Sequence, residues 1–242
     1  MRGICNTSFS KQFFPSKIYL NASCPLSQAD IIAQGVSGIM NEVVSSQNFK
    51  KSTMDDYLAS ERKGGPKSEY FNGKVIGRSG SNRWHNLIVS NIAIGIGTRM
   101  QGHKTEMYIS NIRVKLENNL IVYPDVAIVA GEPSFTDNSL DVLLNPTVLI
   151  EVVSNEMHSA TKTTKLESFL AMSSIKECLL IKEDEMRIEH YAKQNAKQWI
   201  YKIYNERDDV VSLESIACKI SLQEVYAQIK FRGAELSSRA VN

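Results

Sequence analysis

Two stretches of this chain, "YPDVAIV" and "NPTVLIEVVSN", each set one carboxylate inside an apolar, β-branched run. Asp125 stands between Val122-Tyr123 and Val126-Ala127-Ile128-Val129, and Glu151 between Val148-Leu149-Ile150 and Val152-Val153. Such runs read as buried strands, and "TVLIEVVS" as one covered on both faces. An ionised carboxylate withdrawn from water costs several kcal/mol unless a cation or hydrogen-bond donors compensate it. Strand side chains alternate faces, so Glu151 and Val153 share one face while Val152 takes the other. If the two strands pair, both carboxylates converge. Two such oxygen ligands with a backbone carbonyl and water suit a hard cation, Mg²⁺ or Mn²⁺. Taken singly, an Asp after proline is usually a strand-end cap, and a Glu in an apolar strand is usually paired with a lysine. Jointly, they point to a metal site.

The rest of the pattern is mixed α/β. Residues 1–50, rich in Ser, Asn and Gln, read as a weakly structured extension with a short helix near 28–40. Ser52 and Asp55 predict a capping box opening a helix in "STMDDYLASER". "SEYFNGKVIGRSG" reads as a hairpin turning at Asn72-Gly73. "NRWHNLIVSNIAIGIGTRM" has helical spacing, and Gly95 and Gly97 allow close packing against a sheet. "EMYISNIRVKLENNLIVYPDVAIVA" predicts two strands joined at Glu117-Asn118-Asn119, and "GEPSFTDNSLDVLLNP" a loop. "TKTTKLESFLAMSS" reads as a helix with Leu166, Phe169 and Leu170 on one face. "ECLLIKE", "MRIEHYAKQ" and "WIYKIYNE" are successive strands, and "ISLQEVYAQI" a closing helix.

Several devices are missing. Gly95, Gly97 and Gly102 have the wrong spacing for a dinucleotide loop, and there is no GxxxxGK[ST] phosphate loop. "GRSGS" and "GVSG" lack the spacing of a nucleophile elbow. His85, His103, His158 and His190 are isolated from any cysteine pair that would make a zinc site. The four cysteines are scattered, no signal-peptide core is visible, and no apolar run reaches the roughly 20 residues of a membrane helix, which together predict a cytoplasmic protein without membrane contact. A net charge of +2 excludes little. Between Lys74 and Lys115, however, seven basic residues face one acid, Glu106, a net of +6 with histidines neutral. That stretch is either a solvated face or a surface for phosphates.

Quoted in order, "SEYFNG…WHNLIVSNI…YPDVAIV…NPTVLIEVVSN…K…IKECLLI" resembles the Uma-two-type restriction endonuclease family of the PD-(D/E)XK nuclease superfamily. The resemblance runs from about Tyr57 to Ile229. It implies a restriction-endonuclease-like α/β core over 51–232, with a mixed central sheet flanked by helices, an N-terminal hairpin and a C-terminal β meander, and a tail at 233–242. It implies metal-binding carboxylates at Asp125 and Glu151, a backbone ligand at the Val152 carbonyl, and site roles for Glu69, which opens the hairpin, and for His85, which begins the helix. The superfamily's usual strand lysine is Val153 here. Lys165, with Lys162 as a rival, is the helix lysine that would supply the ammonium instead. Thr161 stands where relatives often carry Asp.

The implied activity is Mg²⁺- or Mn²⁺-dependent hydrolysis of phosphodiester bonds in nucleic acid, DNA foremost, by a chain that is a candidate homodimer. The alternative is a catalytically inactive nucleic-acid- or protein-binding module that keeps the nuclease fold. Loss of the strand lysine and of an acid at Thr161 favours the alternative.

Overall fold

A computed structural model describes residues 51–231 apart from 79, 103, 118 and 155–158; the side chains at 159–162 are also outside the description. The extension at 1–50, its helix near 28–40 and the tail at 233–242 therefore lie outside the described residues.

The first helix, α1 (Met54–Arg62), begins one residue later than the sequence predicts. Its cap is Thr53, whose hydroxyl oxygen accepts the Asp56 N–H at 3.1 Å, rather than the Ser52/Asp55 box. The hairpin of β1 (Ser68–Phe71) and β2 (Lys74–Gly77) forms as expected. Asn72 and Gly73 both take positive φ, 49° and 91°, which a two-residue turn of matching twist requires. Helix α2 (Arg83–Arg99) follows, capped by Asn82, whose side chain accepts the His85 N–H. At Gly95 a Cβ would stand 2.8 Å from the Ile220 side chain, so this glycine lets the helix approach the C-terminal strands closely.

The long run predicted as two strands is four: β3 (Thr105–Ile109), β4 (Arg113–Leu116), β5 (Leu120–Val122) and β6 (Val126–Ala130). It breaks where Ser110 takes a φ of 58° and again at Pro124, and the outer and inner pairs join different sheets. A two-residue strand, β7 (Val142–Leu143), interrupts the expected loop and runs parallel to β4. Then come β8 (Val148–Val153), α3 (Ser159–Ala171), β9 (Glu177–Lys182), β10 (Ile188–Asn195) and β11 (Gln198–Tyr204). The pair β12 (Val210–Leu213) and β13 (Cys218–Ser221), joined through a 3₁₀ turn at Glu214–Ile216, was not legible. The predicted closing helix is a single turn, α4 (Leu222–Val225), because Ile220 and Ser221 belong to β13.

The central sheet has the order β11-β10-β9-β8-β6-β3. Only β8 and β9 are parallel, and α3 supplies the crossover that such a pair needs. A five-stranded sheet, β2-β1-β5-β4-β7, packs on one face. All six residues of β8 are buried, and the alternation of the strand divides them. Val148, Ile150 and Val152 face α2 and the β12–β13 pair; Leu149 and Val153 face α3 and the second sheet. Glu151 belongs to the second set, aimed at α3 and at the hairpin.

A second buried acid ties the C-terminal strands to this sheet. Glu177, 3% exposed, accepts the backbone N–H groups of Glu214 (3.2 Å) and Ser215 (3.1 Å) and the Ser215 hydroxyl, and lies 3.2 Å from His190 Nε2. Burial pushes its carboxyl up, but the hydrogen bonds from His190 and Ser215 outweigh it and hold the group below its ordinary 4.5. A folded-state value below the unfolded one adds stability above pH 4.5 that is lost as pH falls through the folded value. Glu177→Ala should cost about 2–4 kcal/mol at neutral pH by leaving those donors unsatisfied, and the difference from wild type should shrink on acidification, as read by urea unfolding at several pH values.

Candidate active site

The centre is built by the end of β6 lying beside β8. These strands pair antiparallel, with Val126 opposite Ile150, and one step further along the register sets Asp125 opposite Glu151. Pro124 donates no hydrogen bond to a ladder, so the ladder ends there and the Asp125 side chain takes over one bond: its Oδ2 accepts the Val152 N–H at 2.9 Å. The Asp125 carbonyl accepts the Ser110 N–H at 2.9 Å, which fixes the backbone. On the other edge of β8 the Val153 carbonyl accepts the Glu183 N–H. Alternate peptide groups point to alternate edges, so the Val152 carbonyl opens toward Asp125.

Asp125 is 1% exposed, and its Oδ1 meets Arg78 Nη2 at 2.5 Å and His85 Nε2 at 3.1 Å. Burial would raise its carboxyl, but His85, Arg78 and the Val152 N–H prevail and hold it below the usual range. Glu151, 4% exposed, lies 2.8 Å from Lys165 Nζ. Its carboxyl is pushed up to about 7, chiefly by burial and further by the charges of Asp125 and Glu69, against the pull of Lys165. Its Oε1 makes no properly directed hydrogen bond despite that proximity.

Lys165 reaches this acid from α3, on the same face as Phe169 and Met172, which pack into the core. Its Nζ also donates to Glu69 Oε1 at 3.0 Å. Burial opposes its charge, but Glu151 and Glu69 raise it well above the ordinary lysine range, so it is an ammonium at any working pH. Glu69 lies on β1 beside Phe71 on the inward face, and the same Oε1 accepts the Tyr123 N–H at 3.1 Å. His85 sits in the first turn of α2, its Nδ1 3.8 Å from Glu183 Oε2. All four side chains expected on this site from the sequence besides Asp125 (Glu151, Glu69, Lys165 and His85) thus reach it. Lys162 and Thr161 have side chains outside the described residues.

Four contributors were missed. Arg78 stands in the sequence as one member of a basic stretch, and its place at the end of the hairpin that carries Glu69 is the signal for it. Glu183 steadies Asn82 at 2.8 Å as well as facing His85. Tyr123 donates its hydroxyl to Glu61 Oε2 at 2.6 Å, and Glu61 also accepts the Ser68 N–H, so α1 braces the hairpin. The basic stretch itself is partly consumed. Besides Arg78, Arg99 pairs with Glu224 and the buried Arg113 with Asp141 and Glu61, so it is not a uniform phosphate surface.

Three acids meet two permanent cations, a net of one negative charge when all three acids are ionised and His85 is neutral. Among the described residues no three His, Cys, Asp or Glu side chains close on one point as a finished cage. The donors nevertheless fit a Mg²⁺-type ion, which keeps several waters and asks for only one or two carboxylates. Asp125, Glu151 and the Val152 carbonyl would hold it, and the poorly directed Glu151 Oε1 is the oxygen with capacity to spare.

A mixed α/β fold of the nuclease type, with buried acids beside a lysine at one end of its central sheet, is the class this chain represents. It belongs to the Uma2 family, described as "Putative restriction endonuclease", which matches residues 54–223. It is 32% identical over 149 residues to the uncharacterized protein sll1609 of Synechocystis sp. (strain ATCC 27184 / PCC 6803 / Kazusa), covering 61% of this chain and 84% of that protein. The uncharacterized protein slr1290 of the same organism is 21% identical over 187 residues, covering 77% and 97%. A crystal structure described as a putative nuclease belonging to DUF820 from Anabaena variabilis ATCC 29413 superposes with a TM-score of 0.59 at 21% identity, over 72% of this chain and 97% of that one. No described helix is long and apolar enough to cross a membrane.

Removing Lys165 leaves two buried carboxylates facing each other. Lys165→Met should cost about 3–5 kcal/mol in urea unfolding without metal, and adding Glu151→Gln should recover at least about half of it.

Proposed function

We propose that this protein is a metal-dependent endonuclease that hydrolyses phosphodiester bonds in nucleic acid, DNA foremost. The observation that carries this reading is the meeting of Asp125, Glu151 and Lys165 at the β6–β8 end, where no apolar core needs them. Acids buried at a net cost to stability are a mark of a site kept for chemistry. The family description supports the same reaction class.

The chemistry that a divalent cation held there would supply is polarisation of a phosphodiester and activation of water. Asp125 and Glu151 would hold it with the Val152 carbonyl, both acids arriving on neighbouring strands whose register is set by the core. Lys165 takes the place of the strand lysine that Val153 replaces. Its ammonium, fixed 2.8 Å from Glu151 and 3.0 Å from Glu69, is preorganised to offset charge building on the phosphate. Glu69 positions Lys165. His85, anchored by the Asn82 cap, orients the Asp125 carboxylate through Oδ1. Residues Lys74, Arg83, Lys104 and Lys115 remain as candidates for backbone phosphates, and binding should weaken steeply with salt. A cytoplasmic location and a homodimer that cuts both strands belong to the same proposal.

One observation favours the catalytically inactive module: each carboxylate is already compensated by an internal cation. The two readings part in a cleavage assay on supercoiled plasmid, single-stranded DNA and RNA with Mg²⁺ or Mn²⁺. Wild type should nick in a metal-dependent way, and Asp125→Ala, Glu151→Ala and Lys165→Ala should each lose roughly a hundredfold or more. Absence of cutting by wild type on every substrate, or equal cutting by all variants, identifies the inactive module.

A further inference from the structure

Arg78 occupies one oxygen of Asp125, the acid that an incoming ion would share with Glu151. Asp125 Oδ2 is taken by the Val152 N–H, and Oδ1 already receives both Arg78 and His85. A carboxylate oxygen has two lone-pair positions, so Oδ1 is filled while both remain and Oδ2 keeps one, and an ion that draws on both oxygens competes with Arg78 or His85. His85 is the harder to move, since its helix turn is capped by Asn82, which is itself tied to Glu183. The Arg78 backbone is held in the hairpin by its N–H to the Lys67 carbonyl at 2.8 Å, while its long side chain ends on Asp125. That side chain is 20% exposed against 1% for Asp125, so the guanidinium stands between the buried acid and solvent.

We propose that Arg78 is a displaceable counter-ion: it fills Asp125 Oδ1 in the ion-free protein and, once a divalent cation takes that oxygen, turns its guanidinium to a backbone phosphate of the nucleic acid. This rests on the metal-centre reading above. A planar guanidinium matches a phosphate in two-point geometry, and at the mouth of the site it moves little to reach one. The consequence is linkage. Ion and phosphodiester each release what the other needs, so each strengthens binding of the other by the same factor. The arrangement also keeps Asp125 compensated when no ion is present, and this lowers ion affinity in the absence of nucleic acid.

The test measures binding rather than turnover. Mn²⁺ affinity is read by titration calorimetry for wild type, Arg78→Ala, Arg78→Gln and an Asp125→Ala control, with thermal melts in chelator to establish folding. Affinity of a fluorescein-labelled DNA duplex is then read in Ca²⁺ and in chelator. Arg78→Ala and Arg78→Gln should bind Mn²⁺ about tenfold more tightly than wild type, melt lower in chelator, and gain more in melting temperature from Mn²⁺. Wild type should bind the duplex about tenfold more tightly in Ca²⁺ than in chelator, and the Arg78 variants by no more than about twofold. Mn²⁺ binding in the Arg78 variants that is equal to or weaker than wild type, with Asp125→Ala still abolishing it, overturns the role of Arg78 and leaves the metal centre standing. No Mn²⁺ binding by wild type or by either Arg78 variant overturns the metal centre and this proposal together.

Discussion

The compensation of buried negative charge at the β6–β8 junction is the constraint on which the rest of this structure depends. Asp125 and Glu151 are nearly inaccessible, and neither can be ionised there alone. Three elements beside the central sheet send groups to this one place. The hairpin brings Glu69 and Arg78, α2 brings His85, and α3 brings Lys165. The two acids are held in different states. Asp125, with donors on both oxygens, is kept low, whereas Glu151, with one cation and two neighbouring acids, is pushed up to about 7.

Packing makes that meeting possible. Strand β8 is apolar on both faces except at Glu151, where its alternation presents a charge to the layer that contains α3 and the second sheet. The second sheet reaches the site because β1 pairs with β5, Tyr70 opposite Ile121, which carries the hairpin onto the strand leading to Pro124 and Asp125. A further buried acid, Glu177, fastens β9 to the C-terminal strands from the opposite end of the same parallel pair. Glu177 is held by two backbone N–H groups, the Ser215 hydroxyl and His190, whereas Asp125, Glu151 and Glu69 each also face Arg78 or Lys165.

Much of this was legible in the sequence because it rests on local pattern. The acid-bearing strands, the Asn72-Gly73 turn and the α3 face follow from periodicity and turn chemistry, and these also mark Asp125 and Glu151; Glu69, His85 and Lys165 were legible only through the family resemblance, and all five reach one site. What escaped depends on partners distant in the chain. The run from Glu106 to Ala130 looked like one hairpin because nothing local says that β3 pairs with β6 while β4 pairs with β5. The β12–β13 pair is too short to announce itself. Arg78 looked like one member of a basic face, and only the fold sets it against an acid 47 residues away. The cap at Thr53 in place of Ser52 is a one-residue slip between two equally suitable hydroxyls.

The most direct test of this account is the position of Mn²⁺ by anomalous scattering in crystals of the wild-type protein grown with the ion. The account requires a peak between Asp125, Glu151 and the Val152 carbonyl, with Arg78 withdrawn from Asp125 and Lys165 still between Glu151 and Glu69. A saturating Mn²⁺ concentration that leaves Arg78 on Asp125 and no peak at this centre would contradict it.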